Sequence, residues 1–104
     1  MNRVLVRPDA AADIESAFSW YERQHAGLGA EFLAALQLTI QDVTTRPEAF
    51  PIVHRSARRA LVQRRFPYGL FYRIDGTTIV VIACMHAKRR PDRWKGRLGK
   101  RLPD

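Results

Sequence analysis

Three shortages narrow what these 104 residues can do. A single cysteine, Cys84, excludes an internal disulfide and the sulfur-rich zinc sites. No apolar run exceeds the stretch from Ile79 to Met85, far short of the roughly 20 residues a membrane helix needs. The three histidines, His25, His54 and His86, are scattered without an HExxH spacing, so no metal and no other cofactor is expected. Ser16, Ser19 and Ser56 lie in no GxSxG context, which leaves a hydrolase triad unsupported. Gly27-Leu28-Gly29 is a GxG between two helical patterns, and therefore a turn instead of a phosphate cradle. Asp13, Glu15 and Glu22 read as the solvated face of a helix, giving no acid pair for general acid–base work. Arg3 and Arg7 flank only a strand-length apolar patch, not the apolar core of a signal peptide, so the cytoplasm is the expected location.

Acidic residues are also scarce, and unevenly so. Residues 1–54 hold 7 acids against Arg3, Arg7, Arg23 and Arg46, whereas residues 55–104 hold 14 bases against Asp75, Asp92 and Asp104. The net charge of +8 is therefore carried by the second half, and 15 of the 18 bases are arginine. A half-chain of that sign attracts nucleic acid or an acidic protein. Guanidinium groups grip phosphate or carboxylate bidentately and stack on bases, which ammonium groups do not.

Neither repeats nor linkers interrupt the pattern, so residues 1–104 form one domain, with 87–104 as a basic C-terminal tail. Asn2 to Arg7 alternates like a short strand. Pro8 opens a helix whose stripe is Ile14, Ala17, Phe18 and Tyr21, ending near His25 and Gly27. Phe32, Leu33, Leu36, Ile40 and Val43 form the stripe of a second helix, stopped by Pro47. So short a connection makes the pair an antiparallel helical hairpin. Arg46 to Ser56 reads as a loop, followed by strands over Arg58 to Arg65, Tyr68 to Ile74 and Thr78 to Met85. The order is β-α-α-β-β-β: an α+β fold with the helical hairpin packed on a mainly antiparallel sheet. The run from Thr78 to Ala83 is apolar at successive positions, which predicts a central strand covered on both faces. The face away from the helices then needs its own cover, which a partner segment would supply.

Three basic constellations are the functional candidates. Arg55, Arg58 and Arg59 enter the second strand; Arg64, Arg65 and Arg73 lie near Tyr68 and Tyr72; the tail from His86 to Arg97 packs Arg89, Arg90, Arg97 and Trp94 into one short segment. Sheet arginines also serve simply to cover apolar surface with their stems.

In order along the chain, Ala10…Asp13-Ile14…Trp20-Tyr21…Gly27-Leu28-Gly29…Phe32, then Pro47…Phe50-Pro51, Arg58-Arg59, Arg65-Phe66-Pro67-Tyr68…Tyr72 and His86-x-x-Arg89-x-Pro91-x-x-Trp94 resemble the ParE/RelE toxin superfamily of plasmid-stabilisation proteins, the ParE branch most closely. The resemblance runs from about residue 3 to residue 97 and implies the same β-α-α-β-β-β fold, called RelE/ParE-like. It implies a toxin of a type II toxin–antitoxin pair, neutralised by a cognate antitoxin whose acidic segment wraps it, with Trp20, Tyr21 and Leu28 as the antitoxin-binding anchors. ParE-like members inhibit DNA gyrase by binding, without chemistry; RelE-like members cleave mRNA on the ribosome. In nuclease members an arginine opens the strand that here reads Gly69-Leu70-Phe71-Tyr72, and glycine cannot stabilise charge. The gyrase reading is therefore preferred, with target contacts expected from Arg58, Arg59, Arg64, Arg65, His86, Arg89, Arg90, Trp94 and Arg97. On the nuclease alternative, Arg65, Arg73 and His86 are the residues left to act. A member that binds its antitoxin with little toxicity is a third possibility. Alanine at Arg89, Arg90 or Trp94 is expected to weaken growth arrest while antitoxin binding, measured by pull-down, is kept.

Overall fold

Pro8 decides where the first strand stops, because its fixed φ suits a first helical turn and it has no N–H to give a sheet ladder. In the computed structural model, which describes residues 2–62, 65–88 and 92–99, β1 (Arg3–Val6) passes directly into α1 (Pro8–Gln24). Gly27 takes the left-handed conformation, φ 87°, that reverses the chain. The second helix, α2 (Leu28–Thr45), starts at once, so Leu28 and Gly29 belong to its first turn and not to the connection. Gly29 is needed for closeness: a Cβ there would lie 2.7 Å from Glu22 Cγ and 2.8 Å from the Phe18 carbonyl oxygen. The same approach lets Glu22 Oε1 accept the Gly29 N–H at 2.8 Å, occupying one of the donors a helix start leaves unpaired.

Four strands follow where three were expected. Ile52–His54, inside the stretch read as a loop, pairs with the next strand as β2, an edge too short and irregular to show alternation. The expected strand from Arg58 to Arg65 is shorter, β3 (Ala57–Leu61). The last two strands are β4 (Tyr68–Asp75) and β5 (Thr78–His86), joined by a turn with Gly76 at φ 60°. The sheet order is β1-β5-β4-β3-β2, with β1 parallel to β5 and every other pair antiparallel. Thus β5 is interior, as its apolar run requires.

One irregularity organises the functional end of the sheet. Phe71 pairs with Ala83 but Tyr72 pairs with Val81, which leaves Ile82 as an extra residue in β5. Before this bulge, Ile79 and Val81 face the helices; after it, Cys84 does, while Ile82 and Ala83 both face the other side. The bulge therefore turns Cys84, and His86 two residues on, towards the helical layer.

Two cores sandwich the sheet. On the helical side Phe32, Leu36, Val43, Leu70, Tyr72 and Ile79 pack with Tyr21 and Phe66. On the far side the cover comes from the chain itself, not from a partner. Within the tail, α3 (Asp92–Lys95) lays Trp94 over Phe71, with ring centroids 4.4 Å apart and 27° between planes, beside Ala57, Ile82 and Met85. A 3₁₀ turn, Gly96–Gly99, follows. Gly29→Ala should destabilise the protein by about 1–3 kcal/mol through overpacking. Gly96→Ala, where a Cβ meets nothing within 4 Å, should stay within about 0.5 kcal/mol of the parent. Urea denaturation of both checks this.

Candidate functional site

Because β1 pairs with β5 only from Thr78 to Val81, residues 82–86 of β5 have no strand neighbour on that side among the described residues. Side chains take the place of the missing strand. Asp13 on α1 accepts the Cys84 N–H at 3.1 Å, and Arg97 from the 3₁₀ turn donates to the Ile82 carbonyl at 3.1 Å. The two residues also bind each other, Arg97 Nη1 to Asp13 Oδ2 at 2.7 Å, while Asp9 lies 3.6 Å from Arg97 Nε. Their side chains are only 17% and 16% exposed, so this pair is shielded enough to hold the C-terminal turn against the hairpin.

Beyond that tether the space between α1 and the free edge of β5 opens into a cleft of about 1010 Å³. Ser16, Trp20, Tyr21 and Arg23 form its helical wall; Tyr68, Cys84 and His86 form its sheet floor, with Arg65 at one end and Arg97 at the other. Trp20 stands 49% exposed at the rim, against the edge of Tyr21 at a centroid distance of 5.1 Å. His86 meets Tyr68 at 5.6 Å, and its Nδ1 accepts the Lys88 N–H at 3.1 Å. Burial raises the Tyr21 hydroxyl above its ordinary value, and Tyr68 and Cys84 add to the effect. Burial, helped by Asp13, pushes the Cys84 thiol up to about 12, so it stays protonated and unreactive near neutrality. Among the described residues no group of three His, Cys, Asp or Glu side chains suits a metal ion. Nor is any described helix long and apolar enough to cross a membrane.

The residues singled out in the sequence divide between the two sides of the sheet. Arg65, His86, Arg97, Trp20 and Tyr21 all line the cleft. Leu28 is half-buried against the helical core, and Tyr21, though it lines the cleft, is a buried core residue. Arg65 sits in the turn before β4, paired with Glu31 at 2.6 Å in a bridge open to solvent and worth little. Arg58 and Arg59, grouped together in the sequence, point to opposite faces because they are consecutive strand residues. Arg58 donates to the carbonyls of Glu48 and Phe50, at 3.2 and 2.7 Å, and so pins the loop before β2. Arg59 lies on the far face, where its stem crosses Gly69 and its Nε is buried without a hydrogen bond among the described residues. Arg64, Arg89 and Arg90 fall outside the described residues.

Three expectations need correction. Trp94 is not presented for stacking on a target: it is 4% exposed, because the far face of β4 and β5 needed an apolar lid. Arg97 is not a free cation but is committed to Asp13, Asp9 and the Ile82 carbonyl. Arg65, Arg73 and His86 do not converge. Arg73 follows the helix-facing Tyr72, so it lies on the far face, bonded to Asp75 at 3.1 Å, while the other two line the cleft.

Asp13 is the functional residue that the sequence reading missed. It stands three residues after Ala10 and four before Ala17, both buried, so the helical period already placed it on the inner face. Asp13→Ala should cost about 1–3 kcal/mol, since it strands the Cys84 N–H and a shielded guanidinium. It should also expose the C-terminal turn to limited proteolysis. An unchanged denaturation midpoint with an uncut tail would contradict this.

Comparison with known proteins accords with this architecture. No curated protein matches the sequence significantly. Among solved structures, the chromosomal ParDE toxin–antitoxin system from P. aeruginosa superposes with a TM-score of 0.62 at 18% identity, covering 83% of this chain and 96% of that one. The RelBE2 toxin–antitoxin complex from Mycobacterium tuberculosis gives 0.57 at 23% identity, covering 82% of this chain and 96% of that one. At these identities the likeness is one of fold: two helices on a five-stranded, mostly antiparallel sheet. Residues 4–91 match the model of the ParE toxin of the type II toxin–antitoxin system parDE, and the chain belongs to that toxin family.

Proposed function

We propose that this ParE-family toxin acts by binding DNA gyrase, without chemistry of its own, and that a cognate antitoxin neutralises it from the cleft between α1 and β5. The observation that carries the first half is the scatter of the reactive candidates. Cleavage through an RNA 2′-hydroxyl needs a base, an acid and cations around one phosphate. Here Gly69 stands at the position of the arginine expected of nuclease members, and Arg73 is on the opposite side of the sheet from His86 and Arg65. A poison that works by binding needs no such convergence.

The antitoxin reading draws on the cleft itself. It is aromatic, through Trp20 at the rim and Tyr68 on the floor, and flanked by Arg23 and Arg65. An acidic segment that orders on binding fits both properties. The fold neighbours are themselves toxin–antitoxin systems, which adds to the case for a partner of that kind. Arg89 and Arg90 are proposed as target contacts.

Purified toxin should inhibit gyrase supercoiling and stabilise cleaved DNA–gyrase complexes, with both effects abolished by antitoxin. Silence in that assay together with codon-dependent cuts in translated messages would establish the RelE-like alternative. Trp20→Ala removes an exposed ring that is not part of either core, so it should weaken antitoxin binding roughly 30-fold, the loss of about 2 kcal/mol typical of an aromatic anchor. Its thermal midpoint should stay near that of the parent. Calorimetric titration and a melting curve measure the two.

A further inference from the structure

The face of the sheet turned away from the helices carries an arginine, Arg59, whose buried Nε has no hydrogen-bond partner among the described residues. Arg59 pairs across the ladder with Phe71, and its Cγ and Cδ lie over Gly69, within 3.2 Å of where a Cβ would stand. A larger residue at 69 would displace that stem, so the glycine and the arginine form one feature: a bare backbone with a cation laid across it. The Arg59 Nε is buried and has no acceptor among the described residues. A donor in that state favours any anion that reaches the guanidinium.

The surroundings have the same sign. Phe71 continues into Trp94, Trp94 into His54, and His54 feels both Lys95 and Arg55, which together with its desolvation hold its pKa below the ordinary value. Among the side chains described, the acids lie in α1, α2 and the loop before β2, apart from Asp75. Asp75 is bonded to Arg73 and stands six residues along β4 from Gly69, about 20 Å away. The charge imbalance between the halves of the sequence thus becomes an imbalance between layers. Leu61, directly opposite Gly69 in the ladder, leaves an exposed apolar shelf next to the cation.

We propose that the Arg59–Gly69 feature is a phosphodiester-binding site, through which the far face of the sheet holds a nucleic-acid backbone. Phosphate is preferred to carboxylate because a nucleic-acid backbone repeats its charge, Arg55 and Lys95 beside His54 add further cations to Arg59, and the apolar shelf at Leu61 suits a sugar or base edge. This deepens the toxin reading by giving the protein its own hold on nucleic acid, separate from the cleft. Growth arrest can stand while the binding site fails, so the two are distinguishable.

The test is fluorescence anisotropy of the purified full-length protein with labelled 20-nucleotide probes: single-stranded DNA, duplex DNA and single-stranded RNA. Arg59→Met keeps the stem over Gly69 and removes the charge. It should weaken binding roughly 10- to 100-fold and flatten the slope of log K against log salt by about one. Gly69→Ala keeps every charge but crowds the stem, and should weaken binding several-fold with the circular dichroism spectrum unchanged. Arg46→Gln, an exposed arginine at the end of α2, makes the same change in net charge off this face and should stay within about twofold. The probe held best identifies which backbone the face takes. Equal losses in Arg59→Met and Arg46→Gln, or displacement of the probes by polyglutamate as readily as by unlabelled oligonucleotide, would overturn the assignment.

Discussion

The early end of β1 is the constraint from which the functional end of the molecule follows. Pro8 turns the chain into a helix after four strand residues, so among the described residues the central strand keeps an unpaired edge from Ile82 onwards. Unpaired backbone in a half-buried place must find partners. It finds Asp13 and Arg97, which meet each other at 2.7 Å and each take one group of the strand. The bulge at Ile82 adds to this by aiming Cys84 and His86 into the opened space. A cleft beside a strand edge, stapled at one end and lined with arginine and aromatic rings, suits the antitoxin segment proposed for it.

Charge is then distributed by layer. The helices hold the acids, and the sheet and tail hold the bases, so the sequence asymmetry becomes a difference between surfaces. Not every arginine is free to act on it. Arg58 and Arg97 spend their donors on backbone carbonyls, and Arg73 on Asp75. Among the described residues, Arg23 and Arg65 at the cleft, the latter in a solvent-open bridge to Glu31, and Arg59 on the far face lie on two opposite sides. Two separate surfaces suit a toxin that must meet both an inhibitor and a target.

Much of the fold was legible in the sequence because its signals are periodic. The stripe Ile14, Ala17, Phe18 and Tyr21 gave the first helix, and the apolar run from Ile79 gave the central strand. β2 was missed because three residues directly after Pro51 are too few to show a period. The bulge was missed because it depends on pairing, and Ile82 and Ala83 are apolar on either face. The site was harder. Adjacent bases such as Arg58 and Arg59 look like one patch in a string, although a strand sends them apart. Trp94 looked like a contact residue and is a lid: the apolar run showed that the far face needs cover, but not that the tail supplies it. Asp13 alone was recoverable in advance, from its place in the helical period.

Amide hydrogen exchange of the toxin, alone and bound to its cognate antitoxin, tests the central claim most directly. Protection on binding should concentrate at Cys84, Met85 and His86 and along α1 around Trp20, while Arg59 to Leu61 and Gly69 exchange as before. Protection confined to that second set, with the β5 edge unchanged, would contradict the account.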